Sequence, residues 1–197
     1  MNKLIIVIEG YLASGKSTFA RRLSNEIRVP YLIKDTFKIA ICESITVSNR
    51  EESSRFSAVT FDAMMYTTER LMETGCPIII EGNFVPPGIK RVNEAGVINA
   101  LINKYSYQAL TYKFMGNTRV LYERYIERDK SPERGDVNRD FEEITYEAYD
   151  RYCHSLDSFS VGGIVVAIDT TDFNSVDTRG HIDVARQLLQ NLNLSNE

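Results

Sequence analysis

Two glycines, a lysine and a serine follow directly on the first apolar segment of the chain. The residues from Gly10 to Ser17 read GYLASGKS and match the pattern G-x-x-x-x-G-K-[ST]. Glycines in such a turn let successive backbone N–H groups point at a phosphate, and the following helix directs its positive dipole end at the same anion. The lysine would reach the β- and γ-phosphates of a nucleotide, and the serine hydroxyl would bind Mg²⁺. The loop therefore predicts binding of a nucleoside triphosphate and Mg²⁺ by Gly10, Ala13, Ser14, Gly15, Lys16, Ser17 and Thr18.

An aspartate at the end of the second apolar segment, VPYLIKD, is a candidate catalytic residue. Phosphoryl transfer needs an acceptor hydroxyl that is positioned and relieved of its proton, and Asp35 could do both beside the loop. The alternative is structural, because an aspartate after a strand often caps the helix or turn that follows, here at residues 36–39. The two roles are compatible, and we expect Asp35 to contact the acceptor.

A glutamate ends the third apolar segment, PIIIEGNF. An acidic residue at this place in a phosphate-loop protein holds Mg²⁺ through water, so Ser17 and Glu81 are the predicted metal-binding residues. Glu81 could instead orient the acceptor, or serve only as a structural carboxylate at a strand end. Asn83 lies two residues further on, on the same side if the strand continues, and is a second candidate for binding the acceptor.

The elements that would position these residues follow from the hydrophobic pattern. Short apolar runs predict five strands, at residues 4–9, 29–35, 77–84, 109–115 and 163–169. Helical spacing predicts helices at about 15–27, 53–74, 97–105, 119–129 with Thr118 as the cap, 141–159 and 182–192. This alternation predicts an α/β fold with a five-stranded parallel sheet covered by helices on both faces, in a single domain over residues 1–197. Ligands of such sheets bind at the carboxyl ends of the strands, which is where the candidate residues lie.

The composition narrows the class of protein. A net charge of −4 gives no overall basic footprint for sequence-independent binding of nucleic acid, which leaves only a local basic patch open. No apolar run approaches the roughly 20 residues of a membrane span. Three widely spaced cysteines, Cys42, Cys76 and Cys153, favour free thiols and a cytoplasmic location over a disulfide framework. The guanine-reading pattern N/T-K-x-D is missing, since the nearest string, at residues 103–106, reads NKYS. This favours ATP over GTP.

Together the motifs resemble those of the P-loop small-molecule kinases related to the nucleoside monophosphate kinases, such as gluconate kinase, shikimate kinase, chloramphenicol phosphotransferase and the zeta-toxin kinases. The matching segments are GYLASGKST, IKD, IIIEGN, RYIER and IDTT, in that order along nearly the whole chain. The resemblance implies an ATP-dependent kinase that uses Mg²⁺ and transfers the γ-phosphate to a small-molecule acceptor. It also implies that Asp35 is the base or the anchor of the acceptor.

The resemblance further implies a lid over about residues 127–140 that folds over ATP and brings arginines to the transferring phosphate. Arg124, Arg128 and Arg134 are the candidates, because guanidinium groups neutralise charge in a site from which water is excluded. The interleaved acidic residues offer the alternative of a solvated helix face with i,i+4 pairs. In the related kinases a loop after the last strand packs against adenine, which implies nucleotide contacts by Asp169 and Thr170. Asp169 could equally cap a turn.

Two other functions stay open at this point. A polynucleotide 5′-kinase would share the loop and the aspartate, although the acidic balance of the chain favours a small acceptor. An ATP-binding switch with slow ATPase activity would need no acceptor base. Asp35 and the arginines therefore favour the small-molecule kinase.

Overall fold

Five parallel strands form one sheet in the order β2-β3-β1-β4-β5 in the computed structural model, which describes residues 3–43, 45, 47, 50–85, 93–130 and 144–194. The strands are β1 (Leu4–Gly10), β2 (Tyr31–Ile33), β3 (Ile78–Glu81), β4 (Gln108–Met115) and β5 (Ile164–Asp169). The helices of the described part are α1 (Lys16–Ile27), α2 (Lys34–Ile41), α3 (Arg50–Glu73), α4 (Glu94–Tyr105), α5 (Thr118–Asp129), α6 (Tyr146–Ser155) and α7 (Thr178–Leu194). The predicted α/β class with a parallel sheet is confirmed.

The central strand β1 is buried along its whole length, which explains its continuous apolar sequence. Alternate side chains enter two separate cores, because successive residues of a strand point to opposite faces of the sheet. Leu4, Ile6 and Ile8 pack in one core with side chains of α1 and α7. Ile5 and Val7 pack in the other with side chains of α3 and α4.

A third, smaller apolar cluster lies beside the loop that follows β1. Tyr11 and Ala13 of the loop are buried there with Leu121 of α5 and with Tyr149 and Cys153 of α6. The residues between Gly10 and Gly15 thus serve in packing as well as in forming the turn.

The predicted end of β2 and the predicted cap of α5 are wrong. The strand β2 ends at Ile33, so Asp35 lies in the first turn of α2 and is not its cap. Asn117, rather than Thr118, caps α5, since its side-chain oxygen accepts from the N–H groups at positions 119 and 120. The hydroxyl of Thr118 donates instead to Asp150 of α6, at 2.5 Å. The contact of Thr118 with Asp150 is a tertiary one that local patterns do not contain.

Four helices also differ from their predicted extents, since α3 and α7 begin three and four residues before their predicted starts. Asn93 caps α4, so that helix begins earlier than predicted. Thr145 caps α6, which ends at Ser155 and is shorter than predicted. Residues 141–143 of the predicted segment lie outside the described residues.

Two compositional predictions can be compared with the structure. Cys42, Cys76 and Cys153 are free thiols, as predicted, and the first and the last of them are buried. Within the described ranges, no helix combines the length and the apolar character that crossing a membrane requires.

Candidate active site

A cavity of about 630 Å³ opens where the strands reach their carboxyl ends. Its volume lies within the range of small-molecule sites. The cavity brings together most residues that the sequence singled out: Ala13, Ser14, Gly15, Lys16, Ser17, Thr18, Asp35, Glu81, Asn83, Arg124, Arg128 and Thr170. Residues from the loop after β1, from α2, from the end of β3 and from α5 therefore face one space.

The backbone of the loop takes up conformations that suit an anion-binding turn. Gly10, Ala13 and Gly15 have φ values of 124°, 56° and 84°. A side chain at Gly10 is impossible without rearrangement, because a Cβ would lie 2.0 Å from the carbonyl oxygen of Phe114 on β4. Left-handed backbone at the non-glycine Ala13 is strained, and such strain persists only where the surroundings hold it.

The lysine of the loop is buried and bonded to the loop itself. Lys16 Nζ donates to the carbonyl oxygens of Gly10 at 3.0 Å and Tyr11 at 2.5 Å. Burial lowers the pKa of Lys16, while the nearby carboxylates of Glu81 and Asp35 oppose that effect. The ammonium group is thus set in the turn where a phosphate would be bound.

Ser17 and Glu81 are in direct contact across the cavity floor. The Ser17 hydroxyl donates to Glu81 Oε2 at 2.9 Å, and the glutamate is almost fully buried. Burial raises the pKa of Glu81 to about 7, although the Lys16 ammonium acts in the opposite direction. Mg²⁺ in such sites takes one or two protein oxygens together with water and substrate phosphates, so these two side chains fit it. Among the described residues, no three His, Cys, Asp or Glu side chains are grouped to bind a metal.

Asp35 and Arg128 both line the cavity and lie next to each other. Arg128 Nη2 in the last turn of α5 lies 3.6 Å from Asp35 Oδ2 in the first turn of α2, and both side chains are roughly half exposed. Asn83 is close to the end of β3, and its Oδ1 atom is buried with no hydrogen-bond donor among the described residues. A carboxylate, a guanidinium and an amide group therefore line the cavity beside the phosphate loop.

Arg124 contacts the loop after β5. Its guanidinium donates to the carbonyl oxygens of Thr170 at 2.6 Å and Thr171 at 2.7 Å. The same group lies 4.1 Å from the ring centre of Phe173, which forms part of the cavity wall. Sequence reasoning missed Phe173, for which the only signal was an aromatic residue shortly after the last strand. It also missed Arg21, Arg22 and Gly82 of the cavity wall.

Some of the predicted residues do not face the cavity or cannot be placed. Of those described, Gly10 and Asp169 lie outside its wall. The Asp169 carboxylate accepts from the Thr171 amide at 2.8 Å and from its hydroxyl at 2.6 Å, and these bonds lower the pKa of Asp169. Arg134 and most of the predicted lid lie outside the described residues.

Comparisons with solved structures place this arrangement in a known fold. A candidate kinase from Chloroflexus aurantiacus superposes with a TM-score of 0.83 at 22% sequence identity, over 95% of this chain and 98% of that one. Kti12 from Chaetomium thermophilum, solved in complex with ADP-AlF3, gives a TM-score of 0.56 at 15% identity, over 94% of this chain and 98% of that one. A gluconokinase from Sinorhizobium meliloti gives 0.53 at 16% identity, over 97% of this chain and 94% of that one.

Comparisons of the sequence alone find no similar protein. No protein-family model matches the chain, and no curated protein matches it significantly. The sheet order, the loop after β1 and the solved structures all indicate the same fold. The chain has the fold of the P-loop kinases related to the nucleoside monophosphate kinases.

Proposed function

We propose that the protein is an ATP-dependent kinase that transfers the γ-phosphate to a hydroxyl group of a small molecule. One observation carries this proposal: a single cavity contains both the phosphate loop and a second set of polar groups that a nucleotide alone would not need. Lys16, Ser17 and Glu81 form the phosphate side of the cavity. Asp35 and Asn83 form the acceptor side.

The nucleotide would bind along the loop, with its base near the segment after β5. The backbone N–H groups of the turn and the start of α1 suit the phosphates, and Lys16 supplies the positive charge. Arg124 and Phe173 lie in face contact and offer a flat cationic and aromatic surface for a purine. Ser17 and Glu81 would hold Mg²⁺, which supplies charge neutralisation at the phosphates.

The acceptor hydroxyl would be placed between Asp35 and the terminal phosphate. Its oxygen forms a bond to the γ-phosphorus, the bond from that phosphorus to the β–γ bridging oxygen breaks, and ADP leaves. The proton of the hydroxyl passes to the Asp35 carboxylate, late in a loose transition state. Arg128 is already beside Asp35 and would stabilise negative charge on the phosphoryl group.

The solved structures with this fold support the proposal. Two of them are named as a candidate kinase and a gluconokinase, and a third was solved with ADP-AlF3. A small acceptor also agrees with the net charge of −4, which gives no general attraction for a polynucleotide. The cytoplasmic location stays a prediction.

A transfer assay tests the proposal. Purified protein is incubated with Mg²⁺ and γ-labelled ATP against a panel of sugars, sugar acids, nucleosides and a 5′-hydroxyl oligonucleotide, chosen after a thermal-shift screen with an ATP analogue. We expect label in a small-molecule product and its loss in Asp35→Asn. Labelling of the oligonucleotide, with salt-dependent binding, would favour the polynucleotide kinase. Slow hydrolysis without any labelled acceptor, unchanged in Asp35→Asn, would favour the switch.

A further inference from the structure

The side of the phosphate loop that faces away from the cavity is bonded to α6 and to the turn that follows it. The hydroxyl of the buried Tyr11 donates to Asp157 Oδ1 at 3.0 Å and lies 3.0 Å from His154 Nδ1. One residue further along the loop, the Leu12 carbonyl accepts from the Tyr149 hydroxyl at 2.8 Å. The loop is therefore held at two successive residues by one helical segment.

The protons in this contact can be placed from the bonding pattern. His154 Nδ1 also lies 3.0 Å from Asp157 Oδ2. An ionised carboxylate only accepts hydrogen bonds, so the imidazole must carry a proton on Nδ1. That proton points towards both Asp157 Oδ2 and the oxygen of Tyr11, while the Tyr11 hydroxyl donates to Asp157 Oδ1. Tyr11, His154 and Asp157 thus form a closed triangle of hydrogen bonds.

The main chain of Tyr11 connects this triangle to the phosphate-binding side of the loop. Its carbonyl oxygen accepts from Lys16 Nζ at 2.5 Å and from Ser14 Oγ at 2.7 Å. The side chain of Tyr11 is therefore fixed by α6, while its carbonyl fixes two side chains that face the nucleotide. Asp157 is itself anchored, because its backbone carbonyl accepts from Lys113 Nζ.

The loop needs support of this kind. Ala13 has a φ of 56°, a strained conformation for a residue with a side chain, and it is packed in the same cluster as Tyr11 and Tyr149. A loop that is ordered before its ligand arrives binds more tightly, because less conformational freedom is lost on binding.

We infer that Tyr11 is a positioning residue of the phosphate loop, which Asp157 and His154 hold in the phosphate-binding conformation before a nucleotide binds. The inference rests on the proposed nucleotide site. It assigns Tyr11 no contact with the substrate, since the residue acts through the carbonyl that binds Lys16 and Ser14.

Tyr11→Phe tests the inference, because it removes the hydroxyl and keeps the buried ring. We expect the dissociation constant of Mg-ADP, measured by calorimetry, to rise about tenfold, as for loss of a hydrogen bond to a charged group. Hydrogen exchange of the amides at residues 11–15, measured without nucleotide, should become faster. Asp157→Asn should give the same two changes, and the double variant should be no worse than either single variant.

Tyr107→Phe is the matched control. Tyr107 is buried just before β4, and its hydroxyl donates to the carbonyl oxygens of Met72 and Cys76, away from the cavity. Tyr107→Phe should lower the melting temperature about as much as Tyr11→Phe does, because each variant loses a buried hydroxyl. Its affinity for Mg-ADP and the hydrogen exchange of residues 11–15 should stay at wild-type values. If Tyr11→Phe also leaves both values unchanged, or if the effects of Tyr11→Phe and Asp157→Asn simply add, the inference is overturned.

Failure of the kinase proposal gives a different result. A wild type that binds Mg-ADP but labels no acceptor would refute the kinase and leave the positioning role standing. The exchange measurement needs no nucleotide at all, so it judges Tyr11 independently. Should Tyr11→Phe fail to fold, Mg-ADP affinity and hydrogen exchange of residues 11–15 are measured on Asp157→Asn instead. Weaker binding and faster exchange would support the positioning role of Tyr11, and wild-type values of both would overturn it.

Discussion

The Ser17 hydroxyl donates to Glu81 Oε2 at 2.9 Å, although 64 positions separate the two residues in the chain. The sheet produces this contact, because β3 lies beside β1 and pairs Ile8 with Glu81 in parallel register. The end of β3 is therefore beside the start of α1. Strand order and the turn of the loop together bring this oxygen pair, suited to Mg²⁺, into contact.

Glu81→Gln should reduce the contribution of Mg²⁺ to ATP binding. Glutamine keeps the size of the side chain and an oxygen that accepts from Ser17, but it removes the charge. We expect the gain in ATP affinity on adding Mg²⁺ to fall by about 10-fold or more, as for other changes around metal sites. Calorimetry of ATP binding with Mg²⁺ and with EDTA measures this gain in affinity. Glu26→Gln, at an exposed surface pair with Arg186, is the control. An unchanged Mg²⁺ effect in Glu81→Gln would assign Glu81 to the acceptor or to structure.

Lys16→Ala should abolish transfer without unfolding the protein. Burial lowers the pKa of the Lys16 ammonium, so burying this charge does not stabilise the fold, and the melting temperature should fall little. Loss of charge at the phosphates should reduce the transfer rate by at least about 10²-fold. Lys104→Ala, which removes an exposed lysine from a surface pair with Glu69, should keep full activity. Equal activity of Lys16→Ala and the wild type would refute the kinase proposal.

Asp35→Asn should separate a base from a metal-site or structural residue. General-base assistance contributes about 10²–10⁴-fold, and late proton transfer in phosphoryl transfer favours the lower end, so we expect a loss of about 10²-fold. Mg-ATP affinity should stay the same, because in the proposed mechanism Asp35 would contact the acceptor and not the nucleotide. Single-turnover transfer and calorimetry, with exposed Asp62→Asn as control, decide the matter. A loss of Mg-ATP affinity together with the loss of transfer would identify Asp35 as a metal-site residue. If neither the transfer rate nor the Mg-ATP affinity changes, Asp35 has only a structural role.

Phe173→Ala should weaken nucleotide binding through the base. Stacking of a base on an aromatic ring contributes about 1–3 kcal/mol by alanine substitution, so Mg-ATP affinity should fall by on the order of tenfold. The wild type should prefer ATP over GTP, but not absolutely. Tyr66→Ala, at an exposed tyrosine of α3, controls for loss of a surface aromatic. Calorimetry with ATP and with GTP measures the loss of affinity in Phe173→Ala and the preference of the wild type. A clear preference of the wild type for GTP would contradict the expected preference for ATP.

Glu9→Gln should change how stability depends on pH. The Glu9 carboxylate is fully buried on β1 without a hydrogen-bond donor among the described residues, and burial raises its pKa from 4.5 to about 7. Lys113 and Lys16 oppose this shift, and Asp157 adds to it. Between pH 4.5 and 7 the Glu9 carboxyl group keeps its proton in the folded protein and releases it in the unfolded chain. The free energy of unfolding therefore falls as the pH rises through this range.

The wild type should therefore lose up to about 3 kcal/mol of unfolding free energy relative to Glu9→Gln between pH 4.5 and 8. Urea denaturation at several pH values checks this. Parallel pH profiles of the two proteins would show that Glu9 is ionised at neutral pH in the folded state.

Much of the fold was predictable because its signals are local. β1 and β3 are short continuous apolar runs, and the glycine-bracketed loop lies between a strand and a helix. The starts of α2 and α5 were harder to predict. At Asn117 and Thr118 two good capping residues stand side by side, and the contact of Thr118 with Asp150 contributes to the choice between them.

Phe173 and Tyr11 illustrate what local patterns omit. Phe173 resembles any exposed aromatic residue in a loop until Arg124 of α5 is seen to lie on its ring. Tyr11 occupies a position of the loop pattern where any residue is allowed, and its partner Asp157 lies 146 positions away. The roles of both residues depend on how α5 and α6 pack beside the sheet.

By itself the sequence determined the phosphate loop, the alternation of strands and helices, and the edge of the sheet at which the candidate residues collect. Each of these depends on residues that are neighbours in the chain, where spacing and propensity act directly. Only the tertiary structure decided which side chains meet: Ser17 with Glu81, Asp35 with Arg128, and Tyr11 with Asp157. Hydrogen bonds and ion pairs act over about 3–4 Å, and strand register and helix docking set such distances between remote segments.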